Sequence, residues 1–241
     1  MNQNLKGKRA IITGASTGIG RAIAKKFASL GIDLALVARN KDKLNAVAKE
    51  CSSLGVNTIT LPADLLDEQA IIHVIDETAR EFGGIDILVN NAGIVQSGPM
   101  TDVSAEEFDR VFATNVRAPF LMCKYAMPYL KQSDYAEIIN IASVVAHKGY
   151  PWQSIYASSK HALLGLSKSL ANEVYQDDVR VHVIAPGGVY TEMIAEVRPD
   201  IDPADCMLPE DIADAAAFFV EHRTNAVIDE IRMHRATAVP W

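Results

Sequence analysis

The chain has 241 residues, 49% of them hydrophobic, which is enough to bury one large core, and α/β domains of this size commonly stay undivided. Its 23 basic residues are outnumbered by 30 acidic ones, and a net charge of −7 argues against a nucleic-acid partner and against attraction to a membrane through a basic face. Cys51, Cys123 and Cys206 are odd in number and far apart, so they form neither a metal motif nor a disulfide framework, and a reducing cytoplasm is the expected setting.

Taken in chain order, "RAIITG" (9–14) is the first apolar run, too short for the core of a signal peptide. Similar runs follow at 33–38, 57–62, 85–90, 137–142 and 179–185, with a seventh at 225–233. Between them, helical patterns cover 18–30, 41–53, 67–81, 104–131, 154–175 and 209–221. Continuous apolar strands imply a sheet buried on both faces, and strict β–α alternation implies parallel strands. The expected fold class is therefore α/β: a single-domain Rossmann fold, doubly wound, with about seven parallel strands and helices on both faces. Pro119 and Pro128 should kink or interrupt the 104–131 helix. No apolar stretch reaches the roughly 18 residues of a membrane span.

"TGASTGIG" (13–20) follows the first strand and opens the first helix. Gly14 permits a tight turn, Gly18 a close backbone approach to a pyrophosphate, and Gly20 close helix packing. Free N–H groups at the helix start favour a phosphate. The second strand ends "LVARN", where an NAD site would usually place a carboxylate. Here Ala38 stands there and Arg39 follows, so NADP(H) is favoured over NAD(H). Thr17 adds a hydroxyl but no second positive charge. Further on, Tyr156 and Lys160 lie four apart, on one helix face. Alone, such a pair is more often incidental than catalytic.

These motifs fall in one order, and the sequence resembles the short-chain dehydrogenase/reductase family over about residues 6–221. The family's glycine motif matches "TGASTGIG", its acidic residue after strand three Asp64, and its N-N-A-G motif Asn90 to Gly93. Its helix asparagine matches Asn115, its serine Ser143, thirteen residues before Tyr156, and its P-G-x-V-x-T motif Pro186 to Thr191. The resemblance implies a coenzyme site of Gly14, Ser16, Thr17, Gly18, Ile19, Gly20, Arg39, Asp64, Leu65, Asn91, Ala92, Gly93, Tyr156, Lys160, Pro186, Gly187, Val189 and Thr191. Asp64 and Leu65 would contact adenine, Asn91 to Gly93 the adenosine ribose, and Val189 and Thr191 the nicotinamide amide. Asn115, Ser143, Tyr156 and Lys160 would be the catalytic set, with Ser143 and Tyr156 on the substrate. Tyr156 would be the acid, its pKa lowered by Lys160 and by an oxidised nicotinamide; Lys160 would also hold the nicotinamide ribose, and Asn115 a proton-relay water. No metal is expected. A homotetramer is implied, with a dimer as the alternative.

The substrate is less legible. "HKGYPWQS" (147–154) must pass the pocket mouth, so His147, Tyr150 and Trp152 could line it or meet a neighbouring subunit, with His147 more a surface residue than a catalyst. The resemblance implies that residues 192 to 208 cover the substrate; at 17 residues they would be a short lid, in which Arg198 could meet a carboxylate. No glycine follows Gly188, so the ending "AVIDEIRMHRATAVPW" departs from many β-ketoacyl-carrier-protein reductases and looks closer to the branch acting on small 3-hydroxy acids, ketones and aldehydes. The expected function is carbonyl–secondary alcohol interconversion with NADP(H). Alternatives are 3-ketoacyl-[acyl-carrier-protein] reduction and, in another class, a non-catalytic NADP(H) sensor, which would have no need of an intact Ser143, Tyr156 and Lys160.

Overall fold

The structure is a computed structural model that describes residues 4–197 and 202–238. Seven strands form one parallel sheet: β1 (Arg9–Thr13), β2 (Asp33–Ala38), β3 (Thr58–Pro62), β4 (Ile87–Asn90), β5 (Glu137–Ile141), β6 (Arg180–Pro186) and β7 (Glu230–Met233). Their order is β3-β2-β1-β4-β5-β6-β7. The winding reverses between β1 and β4, and ligands bind in the crevice at the carboxyl ends of strands at such a reversal.

Alternation along each strand feeds two cores. Ala10, Ile12, Leu34, Leu36, Val89 and Ile139 pack beneath α1 (Gly18–Ser29), α2 (Lys41–Ser52) and α8 (Pro209–Glu221), around the fully buried Phe27 and Leu44. On the other face Ile11, Val37, Leu88 and Ile138 meet α3 (Glu68–Phe82) and α5 (Ala118–Leu130), with Val174 from the end of α6 (Ser154–Val174). Both faces being covered explains why the strands read as unbroken apolar runs.

The predicted 104–131 helix is three pieces. α4 (Ala105–Phe112) starts on the Ser104 hydroxyl, which accepts from the Glu107 N–H at 3.1 Å. A π-helical turn spans Ala113–Arg117, and α5 follows. Pro119 lacks the N–H that would bond the Asn115 carbonyl, and its ring crowds that carbonyl, so the break falls one turn before it. Pro128 lies inside α5 without interrupting it. α7 (Glu192–Val197) begins the predicted lid; Arg198 lies outside the described residues. The seventh strand covers only 230–233, the earlier part of the predicted run being irregular. No helix among the described residues is long and apolar enough to cross a membrane.

Candidate active site

A cleft of about 1870 Å³ runs along the carboxyl ends of the strands. Its floor near β1 is the glycine turn. Gly14 has φ 66°, and a Cβ on it would stand 2.8 Å from Asn91 Nδ2. On Gly20 a Cβ would lie 2.3 Å from the Gly14 carbonyl oxygen. The expected packing of Gly20 on the sheet is thus packing on the turn itself. Thr17 caps α1 without a side-chain hydrogen bond, and the first turn has no acidic residue, so the leading N–H groups remain available to an anion.

Asn91 holds that turn from the side. Its Nδ2 donates to the Thr13 carbonyl at 2.9 Å and more weakly to Gly14 at 3.3 Å. The Asn91 and Ala92 N–H groups both reach Thr13 Oγ1 at 3.0 Å. Asn90 instead faces inward, donating to Asn140 Oδ1 at 2.9 Å, and Asn140 continues to Ser167 at 2.8 Å. The two asparagines join β4 to β1 and to β5.

At the mouth, Ala38, Arg39, Asp64 and Leu65 line one end. Asn40 and Lys43 line it too, and Lys43 supplies the second cation that sequence reasoning missed. It lies four residues beyond Arg39, in the first turn of α2, and its Nζ stands 3.3 Å from Glu192 on α7. A basic residue one turn into the helix after β2 was the available signal.

At the other end, Ser143, Tyr156 and Lys160 converge. Ser143 follows β5 and caps a short 3₁₀ turn, its Oγ accepting from the Val145 N–H at 3.3 Å. Tyr156 and Lys160 share one face of α6. Lys160 is 4% exposed, and its Nζ donates to the Ile141 carbonyl at 2.9 Å. It stands 5.9 Å from the Tyr156 ring centroid. Burial lowers the Lys160 ammonium to about 8. Burial pushes the Tyr156 phenol up, and its hydrogen bond with Ser143 only partly offsets that. The expectation that Lys160 depresses the tyrosine is therefore not met in the protein alone. The ammonium is itself weakened by burial and bonded elsewhere. A raised pKa keeps Tyr156 protonated at neutral pH, as a proton donor must be.

Asn115 sits in the π turn, fully buried. Its Oδ1 accepts from the Ile94 N–H at 2.9 Å, while Nδ2 donates to the Ile94 carbonyl at 2.8 Å and to Ser159 Oγ at 3.0 Å. Both amide hydrogens are used within the protein, and the side chain positions the 93–95 segment. A Cβ on Gly93 would come within 3.2 Å of Asn115 Oδ1 and 3.5 Å of Lys160 Nζ, so a side chain here would crowd Asn115.

Pro186 at the end of β6, and Gly187, Val189 and Thr191 beyond it, line the far wall. A Cβ on Gly18 would lie 3.1 Å from Thr191 Cγ2, which brings the wall against the glycine turn. Of the three aromatic-loop residues, His147 and Tyr150 line the cleft. His147 also bonds Glu230 on β7, so it is tied down rather than free at the surface. Trp152 is 66% exposed at φ 64°. Sequence reasoning also missed Gln96, beyond β4, and Arg232 to Arg235 with Thr237 and Ala238, which reach the cleft because the sheet order puts β7 beside β6.

The residues fit a dinucleotide. Lys160 has three N–H donors, buried, with one partner, leaving two for ribose hydroxyls. The glycine turn offers backbone donors, and Arg39 with Lys43 offers charge for a phosphate. No cluster of His, Cys, Asp and Glu able to hold a metal is found among the described residues.

The family model "short chain dehydrogenase" matches residues 8–202. The chain belongs to the short-chain dehydrogenase family. As an oxidoreductase of that family it has close company. A 3-oxoacyl-[acyl-carrier-protein] reductase FabG of Staphylococcus aureus is 36% identical over 187 residues, 77% of this chain and 76% of that protein. A dehydrogenase/reductase of Sinorhizobium meliloti 1021 superposes with a TM-score of 0.89 at 35% identity, over 98% of this chain and 97% of the other. A metagenomic short-chain oxidoreductase solved in complex with NADP gives 0.85 at 32% identity, over 98% and 100%.

Proposed function

We propose that this chain is an NADP(H)-dependent oxidoreductase that interconverts a carbonyl and a secondary alcohol, with Tyr156 as its acid–base group. One observation carries the reading: a half-buried Tyr156, whose phenol burial pushes up, shares a face of α6 with a buried Lys160 ammonium that has donors to spare, beside Ser143 and in the same cleft as Arg39 and Lys43. The coenzyme in the metagenomic relative supports NADP(H). When bound, the reduced nicotinamide supplies a hydride to the carbonyl carbon. Ser143 donates a hydrogen bond to the carbonyl oxygen and stabilises the charge that develops there. Tyr156 gives that oxygen its proton, so the C=O bond becomes a CH–OH group and the phenol becomes phenolate. Lys160 offers its positive charge to the phenolate and its remaining N–H groups to the ribose. Asn115 keeps the 93–95 wall in register, and α7 begins the lid.

Similarity to a FabG favours 3-oxoacyl-[acyl-carrier-protein] reduction as a second reading. The chain after β7 weighs against it. We place the enzyme in the cytoplasm as a homotetramer; Cys51, Cys123 and Cys206 are all free thiols. The test is NADPH oxidation against β-keto esters, acetoacetyl thioesters, diketones and aldehydes, with 3-hydroxy acids in reverse. In the active assay, Tyr156→Phe should lower kcat at least ~10²-fold with little change in coenzyme affinity. Near-normal turnover in this variant would remove Tyr156 from the mechanism.

A further inference from the structure

Two segments distant in sequence build the wall beyond Ser143: the loop after β5 and the chain leaving β7. Gly187, just past β6, donates its N–H to the Met233 carbonyl at 2.8 Å. A Cβ on Gly187 would stand 3.5 Å from His234 Cα and 3.8 Å from Val144 Cγ1. Residues after β7 are thus packed close to the residue next to Ser143. His147 bonds the Glu230 carboxylate, and the same Glu230 oxygen accepts from Arg232 Nε at 3.1 Å.

From these segments His147, Lys148, Arg232, His234 and Arg235 line the cleft, and no Asp or Glu from either does so. With Glu230 set against Arg232, that is a local excess of two fixed cations in a chain of net charge −7. The carboxylates that do line the cleft, Asp64, Asp102, Glu107 and Glu192, come from other walls. Glu107 is held by Arg110, and Glu192 by Lys43. Arg232 is anchored by Glu230, which itself lies outside the cleft lining. Among the described residues Arg235 and Lys148 have no carboxylate partner; Lys148 lies 5.2 Å from the Tyr150 ring centroid. Unpaired cations on one wall of a cleft raise the local concentration of anions and bind them by charge-assisted hydrogen bonds.

We propose that the substrate is itself anionic, its carboxylate or phosphate bound by Arg235 and Lys148, with Arg232 held beside them by Glu230. This rests on the carbonyl-reductase reading and narrows it. The probes are acetoacetate against ethyl acetoacetate, and acetoacetyl-coenzyme A against the uncharged acetoacetyl-N-acetylcysteamine. In the wild type, at least one charged probe should exceed its neutral partner in kcat/KM by about tenfold or more, and the pair that does so identifies carboxylate or phosphate as the anion. In Arg235→Gln that ratio should fall about tenfold, mainly through KM, the worth of one charge-assisted hydrogen bond. Lys148→Gln should lower it less. Raising salt to 0.5 M should shrink the wild-type ratio. Neutral probes turned over as well as charged ones, or a ratio unmoved by Arg235→Gln, would overturn the proposal. Calorimetric titration of acetoacetate and of coenzyme A into enzyme saturated with NADP⁺ reads the anion site without turnover. Binding that weakens in Arg235→Gln supports the site even if no probe is reduced, in which case it is the reductase reading that fails.

Discussion

Lys160 is an ammonium beneath the cleft floor with one carbonyl partner, lowered by burial from 10.5 to about 8. A lysine whose folded pKa lies below its unfolded value costs stability wherever both states are protonated. That cost is full below pH about 8 and fades as pH rises from about 8 towards 10.5, because the folded state gives up its proton first. It amounts to roughly 3 kcal/mol. Lys160→Met should therefore stabilise the protein without added coenzyme at pH 7 by ~2 kcal/mol, after allowing for the lost bond to Ile141, while ending turnover. A melting temperature below wild type would show that Lys160 is a net structural support. The other residue-scale prediction concerns Arg39 and Ala38. One charge-assisted bond to a 2′-phosphate gives roughly 10- to 100-fold preference for NADPH over NADH. Ala38→Asp combined with Arg39→Leu should reverse it, mostly in KM, since the phosphate is remote from the hydride. Lys43, unaltered in that double variant, should leave residual NADPH use. Comparing kcat/KM for both coenzymes decides; a wild type preferring NADH would refute the reading of the β2 end.

At the scale of elements, the central strands are pinned at their amino ends, opposite the cleft. Asp86, just before β4, accepts from Arg9 Nε and Nη2 at 2.7 Å each, from the Arg9 N–H at 2.8 Å and from Ser133 Oγ at 2.5 Å. Burial alone would raise this carboxyl, but the Arg9 and Ser133 bonds overcome it and hold it below the usual range. Its contribution to stability is present above the unfolded carboxylate pKa of about 3.9 and is lost as pH falls through the lower folded value. Asp86→Ala leaves buried donors without an acceptor and should cost about 3 kcal/mol in urea unfolding. KM for coenzyme should hold, because the anchor is at the amino ends of β1 and β4, away from the cleft; a destabilisation under ~1 kcal/mol would mean the pair is ornamental. The π turn shows the same economy at the cleft edge. Pro119 breaks the helix at Asn115, and the break presents that side chain to Ile94 and Ser159.

For the whole molecule, the open question is assembly. Leu163 and Leu164 are buried within the subunit, at 1% and 6% exposure, so neither is free to carry an interface. Phe108 and Phe120 on α4 and α5 are 40% and 46% exposed, and Phe108 stacks on Phe112 at 4.6 Å. Aromatic groups left open on a helical face favour burial by another subunit. We expect a homotetramer, with a dimer as the smaller alternative, and a shift to smaller species in Phe120→Glu. Light scattering at micromolar concentration reads this directly, and a wild-type monomer would contradict it.

The chain's own order of residues determined the fold class, because period and length are local: apolar runs of strand length alternating with helical patterns admit little besides a parallel sheet covered on both faces. It also determined Gly14, Ser143, Tyr156 and Lys160, whose chemistry depends on spacing within one turn, one helix or one loop. Tertiary structure decided what depends on neighbours from elsewhere. Burial set the Tyr156 and Lys160 pKa values, and no spacing along α6 contains the solvent that folding removes. Crossing connections set the partners of Asn91 and Asn115, whose bonds reach Thr13 and Ile94. The basic wall of His147, Lys148, Arg232 and Arg235 was invisible for the same reason. Its two halves lie more than eighty residues apart along the chain and meet only because β7 is the last strand laid against β6.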